Sequence, residues 1–305
     1  MSAMLLLLLC LVAGIVLRQS GRLTDSAPAA LNSYVIHIAL PALALGHLHR
    51  TELTFGLLAS AAGAWLMLGA AALFIGFAAR RMKLGAAATG ALILTGGLAN
   101  TSFVGLPMIE AWIGRDGLPY GIVIDQLGSY LALSTFGLLV AARYGNQRMN
   151  WREMARRVVT FPPFIAVVVA LLLRPVAFPP ALDDAIARLG ATVAPVALLA
   201  VGCQLRIGEL WRNRGALALG LGYKLILGPL LIAGACLVLM NPDPNSDLVR
   251  TVVVFEAAMG PMIGAAVVAN HYKLDSALTS LMVGIGIPMS LLVAPLWLGV
   301  AQSMV

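Results

Sequence analysis

Asn100, Thr101 and Ser102 stand together in an apolar stretch, with Gly105 and Pro107 close behind. Amide and hydroxyl side chains beside glycine-relaxed backbone can hold an anion such as a carboxylate without a fixed positive charge. Proline has no backbone N–H and clashes with the preceding turn, so a helix containing Pro107 is expected to break. The half-helix after such a break turns its positive dipole end toward the site. Gly260-Pro261 is a second place of this kind, and Gly264 follows it. Two facing breaks would supply donors from both sides, while carbonyls at the half-helix C-terminal ends could coordinate Na⁺. The candidate substrate-binding residues are therefore Asn100, Thr101, Ser102, Gly105, Pro107, Gly260 and Pro261.

Ionisable groups within apolar runs are costly and are functional candidates by default. Asp125 and Glu256 are the candidates for carrying a proton or holding a coupling ion. Glu256 lies one turn before Gly260-Pro261, and Asp125 also has a structural reading as a hydrogen-bonded carboxylate near the outer rim. Glu110 lies nearer the outer end of its span, where gating and a solvated vestibule are equal alternatives. Lys224 is expected to snorkel toward the interface; if it stays buried, an acid or freed helix carbonyls would have to partner it. His37 reads as a packed histidine rather than a relay. No His-Glu-x-x-His pattern occurs, and no metal site is expected. Cys10, Cys203 and Cys236 lie in apolar runs and read as free thiols.

These residues need a membrane to position them. Of 305 residues, 60% are hydrophobic and 11% charged, with a mean hydropathy of +0.93. A soluble domain has about 25% charged residues, so a soluble enzyme, a disordered chain and a nucleic-acid module are excluded. A span takes about 20 apolar residues, and ten candidates occur: 2–17, 29–47, 53–79, 85–113, 118–142, 158–173, 184–205, 215–240, 248–271 and 276–302. The first lacks a preceding basic residue and reads as a span rather than a signal peptide. Alternating loops divide the 20 Lys and Arg unequally. Fourteen fall on one side (Arg18, Arg22, Arg80, Arg81, Lys83, Arg143, Arg148, Arg152, Arg156, Arg157, Arg206, Arg212, Arg214 and Lys273) and five on the other (Arg50, Arg115, Arg174, Arg188 and Arg250). Lys224 alone lies within a span. The bias places the richer side in the cytoplasm and both termini outside it. Trp65, Trp112, Trp151, Trp211 and Trp297 mostly sit near span ends, as interfacial anchors do. The longest polar stretch, 144–157, is basic and too short to fold as a domain.

Five spans per half is an odd number, so a duplicated half would insert inverted. Pro41 and Pro195 are 154 positions apart, and so are Pro107-Met108-Ile109 and Pro261-Met262-Ile263. The expected fold is an all-α polytopic membrane protein of ten transmembrane helices. Two inverted five-helix repeats, 1–145 and 158–305, would each contribute a broken span, the fourth and the ninth. Pro41, Pro107, Pro195 and Pro261 are the expected helix breaks.

The chain resembles the auxin efflux carrier family, which includes plant auxin exporters and bacterial malate or malonate carriers. The resemblance is carried by Leu31-Asn32 to Leu40-Pro41-Ala42, by Asn100-Thr101-x-Phe103-x-Gly105-Leu106-Pro107, by Asp125-Gln126-x-Gly128 and by Gly260-Pro261. It covers nearly the whole chain, although glycine is usual in the family where Ala99 and Ser102 stand. It implies the inverted-repeat fold of bile-acid symporters and sodium–proton antiporters. Spans 1, 2, 6 and 7 would form a scaffold domain, and spans 3, 4, 5, 8, 9 and 10 a transport domain in which the broken spans cross. The expected function is secondary transport of small organic anions across the cell (inner) membrane by a homodimer, with no cofactor beyond Na⁺ or H⁺ coupling and no nucleic-acid partner. A cation–proton antiporter is the alternative, and no enzymatic activity is expected.

Overall fold

A computed structural model describes residues 2–24, 26–52, 54–145, 152, 155–156, 159–204, 214–239 and 244–304. Most of the basic loop at 144–157, together with Arg148, Trp151, Arg157, Arg206, Trp211 and Arg212, lies outside the described residues.

The described residues are helical apart from turns, short extended stretches and one isolated backbone bridge. Among them, six helical segments are long and apolar enough to cross a membrane: Ala27–Leu48, Phe55–Arg81, Arg115–Tyr144, Pro180–Cys203, Arg214–Leu239 and Ser276–Ser303. Leu8–Gln19, Ala86–Gly97 and Pro162–Leu172 are shorter apolar helices. The chain is a polytopic membrane protein. Leu73, Val238 and Leu292 are 76–82% exposed on these helices, which in water would be a liability and against lipid is the ordinary state.

The four expected proline breaks differ among themselves. Pro41 lies in the first turn of Leu40–Leu48, directly after a π-helical stretch at Val35–Ala39, and the backbone stays helical. Pro195 lies in the first turn of Val193–Gln204, just beyond Thr192. At Pro195 the missing N–H is tolerated because the helix starts afresh after Thr192, whereas at Pro41 the π-turns just before it accommodate the proline within a helix that continues. Pro107 likewise follows a π-helical stretch, Thr101–Gly105, in a helix that runs on to Trp112. The fourth span is instead interrupted ahead of it, at 98–100, and only the ninth is interrupted at its proline, over 258–262.

The chain forms two compact units, and each draws on both halves of the sequence. The first comprises Met1–Thr54, Ser102–Ile122 and Ala155–Leu205. Within it, Ser2–Gln19 lies directly against Val193–Gln204. A Cβ on Gly14 would sit 2.3 Å from the Leu199 carbonyl oxygen, and one on Gly202 would sit 2.2 Å from that of Leu11. Glycine lets the two backbones touch, the usual device where no hydrophobic effect drives helices together. In the same unit Tyr34 and Thr192 share a hydroxyl–hydroxyl bond of 2.9 Å, and His49 stacks on Phe178 with ring centroids 4.0 Å apart.

The second unit comprises Phe55–Thr101, Val123–Met154 and Arg206–Val305. Ala62–Arg81 packs on Ala86–Gly97, and the long helix Ser276–Ser303 packs on Pro244–Ala257. Tyr223 Oη donates to the Met67 carbonyl at 2.6 Å, and Trp297 Nε1 donates to that of Leu225 at 2.9 Å. These polar tips tie helices together where apolar packing alone leaves them free to slide.

Candidate functional site

The second unit contains the interruptions of both spans, and there they meet. Ala86–Gly97 ends, the chain runs extended from Leu98 and π-helical turns begin at Thr101. Pro244–Ala257 ends likewise, and Ile263–His271 starts beyond Met262. Ala99 and Pro261 form an antiparallel bridge, closed by Asn100 N–H to the Gly260 carbonyl at 2.8 Å and Met262 N–H to the Leu98 carbonyl at 3.1 Å. Backbone groups released by two broken helices thus satisfy one another, as an apolar interior requires.

Close approach accounts for the glycines at this point. A Cβ on Gly260 would lie 2.7 Å from Ile287 Cα, and one on Gly286 would lie 2.5 Å from Pro261 Cδ. The crossing is seated directly on the backbone of Ser276–Ser303.

Polar groups converge on one side of it. Asp125 is 1% exposed and accepts from the Thr101 hydroxyl and from Gln126 Nε2, each at 2.5 Å. It lies in a π-helical stretch, Ile124–Tyr130, as Thr101 does in Thr101–Gly105 and Lys224 does in Tyr223–Leu227. π-Turns redirect side chains within a helix and recur at functional sites. Glu256 is also 1% exposed, and among the described residues neither of its carboxylate oxygens has a hydrogen-bond partner. Asp125 and Lys224 both act on it electrostatically. The Ser129 hydroxyl and Gln126 Oε1 are buried without partners among the described residues as well.

A cavity of about 20 Å³ opens among these groups, lined by Met67, Thr101, Ser129, Glu256 and Ala257 among others. A single water needs about 10–15 Å³, so the cavity takes one water-sized occupant and no organic acid. Its lining is mostly apolar, and Ser60, Thr101, Ser129 and Glu256 are the polar side chains in it.

Lys224 does not snorkel. It is fully buried, and its Nζ donates to the Ala257 carbonyl at 2.8 Å, with Met67 Sδ at 3.9 Å. The Ala257 carbonyl closes the helix Pro244–Ala257 and has no intrahelical donor, because the chain leaves the helix over 258–262. The lysine fills the place of the missing donor.

The other candidates lie elsewhere. Ser102, Gly105 and Pro107 fall in the first unit, as does Glu110, whose Oε1 accepts from Arg115 Nε at 3.4 Å. His37 is exposed and bonds Ser33 within its own helix. Sequence reasoning missed Gln126, Ser129 and Met67. Gln126 and Ser129 flank Asp125 closely enough to have been read as its surroundings, whereas Met67 gave no signal.

Comparison with known proteins places the chain among membrane transporters. A family model described as "Membrane transport protein" matches residues 1–298. An uncharacterized transporter of Methanothermobacter thermautotrophicus is 27% identical over 293 residues, spanning 95% of this chain and 94% of the relative. An uncharacterized transporter of Methanocaldococcus jannaschii is 24% identical over 312 residues, covering 97% of each.

Proposed function

The chain belongs to the membrane transport protein family, the auxin efflux carriers whose motifs it contains, and we propose that it is a secondary carrier of small organic anions such as malate, malonate or auxin-like acids. It is a transporter and not an enzyme. The observation that supports the anion reading is the bridge between Ala99 and Pro261, which brings two half-helix starts and the neutral polar residues Asn100 and Thr101 to one place. In this reading the carboxylate binds Asn100, Thr101 and Ser102 and the backbone around Gly105, Pro107, Gly260 and Pro261. Asn100 and Thr101 are 2% and 1% exposed, so the anion reaches them only when the spans part, as alternating access requires. Ten spans in two inverted repeats, a scaffold of spans 1, 2, 6 and 7, and a homodimer in the cell (inner) membrane with both termini extracytoplasmic complete the proposal.

The test is flux. Purified protein in liposomes is expected to move a labelled small carboxylate under an imposed H⁺ or Na⁺ gradient. A broad carboxylate panel with neither binding nor flux overturns the assignment. The second reading, a cation–proton antiporter, is favoured by one observation: Asp125 and Glu256 are both buried and interact within one unit. Currents on a solid-supported membrane after a Na⁺ or K⁺ jump, with no organic anion present, would select it.

A further inference from the structure

Leu73, Phe77 and Arg81 follow one another at four-residue spacing and so form a line along one face of the helix Ala62–Arg81. Leu73 is 79% exposed and Phe77 60%, which in a bilayer sets both against acyl chains. The Arg81 guanidinium carbon lies 5.0 Å from the centroid of the Phe77 ring, a cation–π contact that holds this cation along the lipid-facing side of the helix. Arg80, Met82 and Lys83 beside it are exposed. Lys83 has φ +55°, a left-handed position that glycine adopts without strain, and lysine there adds a charge to the rim. The turn is closed by Lys83 N–H to the Arg80 carbonyl at 3.2 Å and by Leu84 N–H to that of Ala79 at 2.9 Å. A Cβ on Gly215 would lie 3.4 Å from Met82 Cε, which brings the exposed Arg214, at the start of Arg214–Gly222, to the same rim.

We propose that Arg80, Arg81, Lys83 and Arg214 bind the phosphate headgroup of an anionic phospholipid whose acyl chains lie along Phe77 and Leu73. Charge is the first argument. The sequence has no acidic residue between Glu52 and Glu110 and none between Glu209 and Asp243, so neither helix supplies a counterion. Among the described residues none of the four cations has a carboxylate partner. Cations gathered in this way repel one another, and an anion between them relieves the repulsion. Basic clusters at span ends are the form that recognition of anionic lipid takes in a sequence. The contact between Arg81 and Phe77 is the second argument, and it favours a lipid over a soluble anion. A guanidinium fork pairs with phosphate oxygens in its own plane, while its face rests here on a ring that the chains of the same lipid would cover. Orientation of the helices by basic loops requires no such contact. The inference rests on the membrane class alone and not on the transported substrate.

The experiment titrates the purified protein in detergent with dioleoyl phosphatidylglycerol and, separately, with dioleoyl phosphatidylcholine, and reads the unfolding temperature and the lipid adducts in native mass spectrometry. Wild type is expected to show a saturable rise in unfolding temperature with phosphatidylglycerol that exceeds the rise with phosphatidylcholine and weakens as NaCl is added. Arg81→Gln combined with Lys83→Gln should weaken the apparent affinity about fivefold for each charge removed. Arg22→Gln combined with Arg174→Gln removes the same net charge from exposed positions in the first unit and should bind phosphatidylglycerol as wild type does. If the Arg81 and Lys83 double variant does not fold, Arg80→Gln combined with Arg214→Gln takes its place against the same control. Wild type without a preference for phosphatidylglycerol overturns the proposal. Equal losses in the site and control variants overturn it too, because the attraction is then one of net charge. Inorganic phosphate that alone stabilises wild type as fully as the lipid would assign the rim to a soluble anion and overturn it as well. Absence of carboxylate flux in wild type would defeat the carrier reading and leave these lipid results intact, so the two failures are distinguishable.

Discussion

The backbone amide of Asn100 donates to the carbonyl oxygen of Gly260 across 2.8 Å, so Asn100 joins the two interrupted spans through its main chain. The polar side chain and the crossing can therefore be separated by mutation. Asn100→Ala is expected to keep the bridge and the fold and to lose carboxylate binding. Circular dichroism and thermal unfolding check the first, and stabilisation by the carboxylate that wild type transports checks the second. Undiminished ligand stabilisation in the variant removes Asn100 from the site.

Gly260 is fixed by its neighbour rather than by its own backbone angles. The atoms that an added methyl would meet, Ile287 Cα at 2.7 Å and the Gly286 carbonyl at 3.0 Å, are main-chain atoms that cannot rotate away. Gly260→Ala should cost about 1–3 kcal/mol, the usual penalty of overpacking, read as a lowered unfolding temperature in detergent. Gly299→Ala is the control, since that position is helical, exposed and open within 4 Å. It should be neutral or gain about 0.5–1 kcal/mol. Equal behaviour of the two variants would mean that the crossing does not press on Ser276–Ser303.

Thr101 supports Asp125 with a hydroxyl donor. Thr101→Val preserves shape and removes that donor, at an expected cost of about 1–3 kcal/mol for a buried charged acceptor. Thr101→Ser keeps the hydroxyl and should restore most of the stability. If valine and serine variants melt together at the wild-type temperature, the hydroxyl contributes nothing to holding the carboxylate.

The sequence made the membrane class legible because apolar run length and basic-loop bias are one-dimensional signals. It also made the two broken regions legible, since Gly260-Pro261 and Asn100-Thr101 announce backbone that does not suit a continuous helix. The exact interruption in the fourth span was not legible. Pro107 drew the expectation to itself, yet the helix continues through it behind the π-turns of Thr101–Gly105, and the extended residues at 98–100 contain no proline. The side on which Lys224 ends was equally hidden. A lysine well inside a span can snorkel or stay, and the outcome depends on a carbonyl 33 residues away in sequence that the end of a helix had left without its donor. π-Helical turns at Asp125 and Lys224 alter side-chain direction by one residue's worth of rotation, which a 3.6-residue pattern does not register.

Glu256 gives the last prediction. Both of its oxygens are buried without hydrogen-bond partners among the described residues, beside a cavity sized for one water and within electrostatic reach of Asp125 and Lys224. A carboxylate so placed is poorly supported as a structural group and well placed as an exchanging one. Glu256→Gln retains the shape and removes the charge. A structural carboxylate would lose stability on this change, whereas here the unfolding temperature should hold or rise. Carboxylate flux in proteoliposomes should lose its response to an imposed proton or cation gradient while downhill exchange persists. A variant that still follows the gradient as wild type does would show that coupling resides elsewhere, with Asp125→Asn the next substitution to measure.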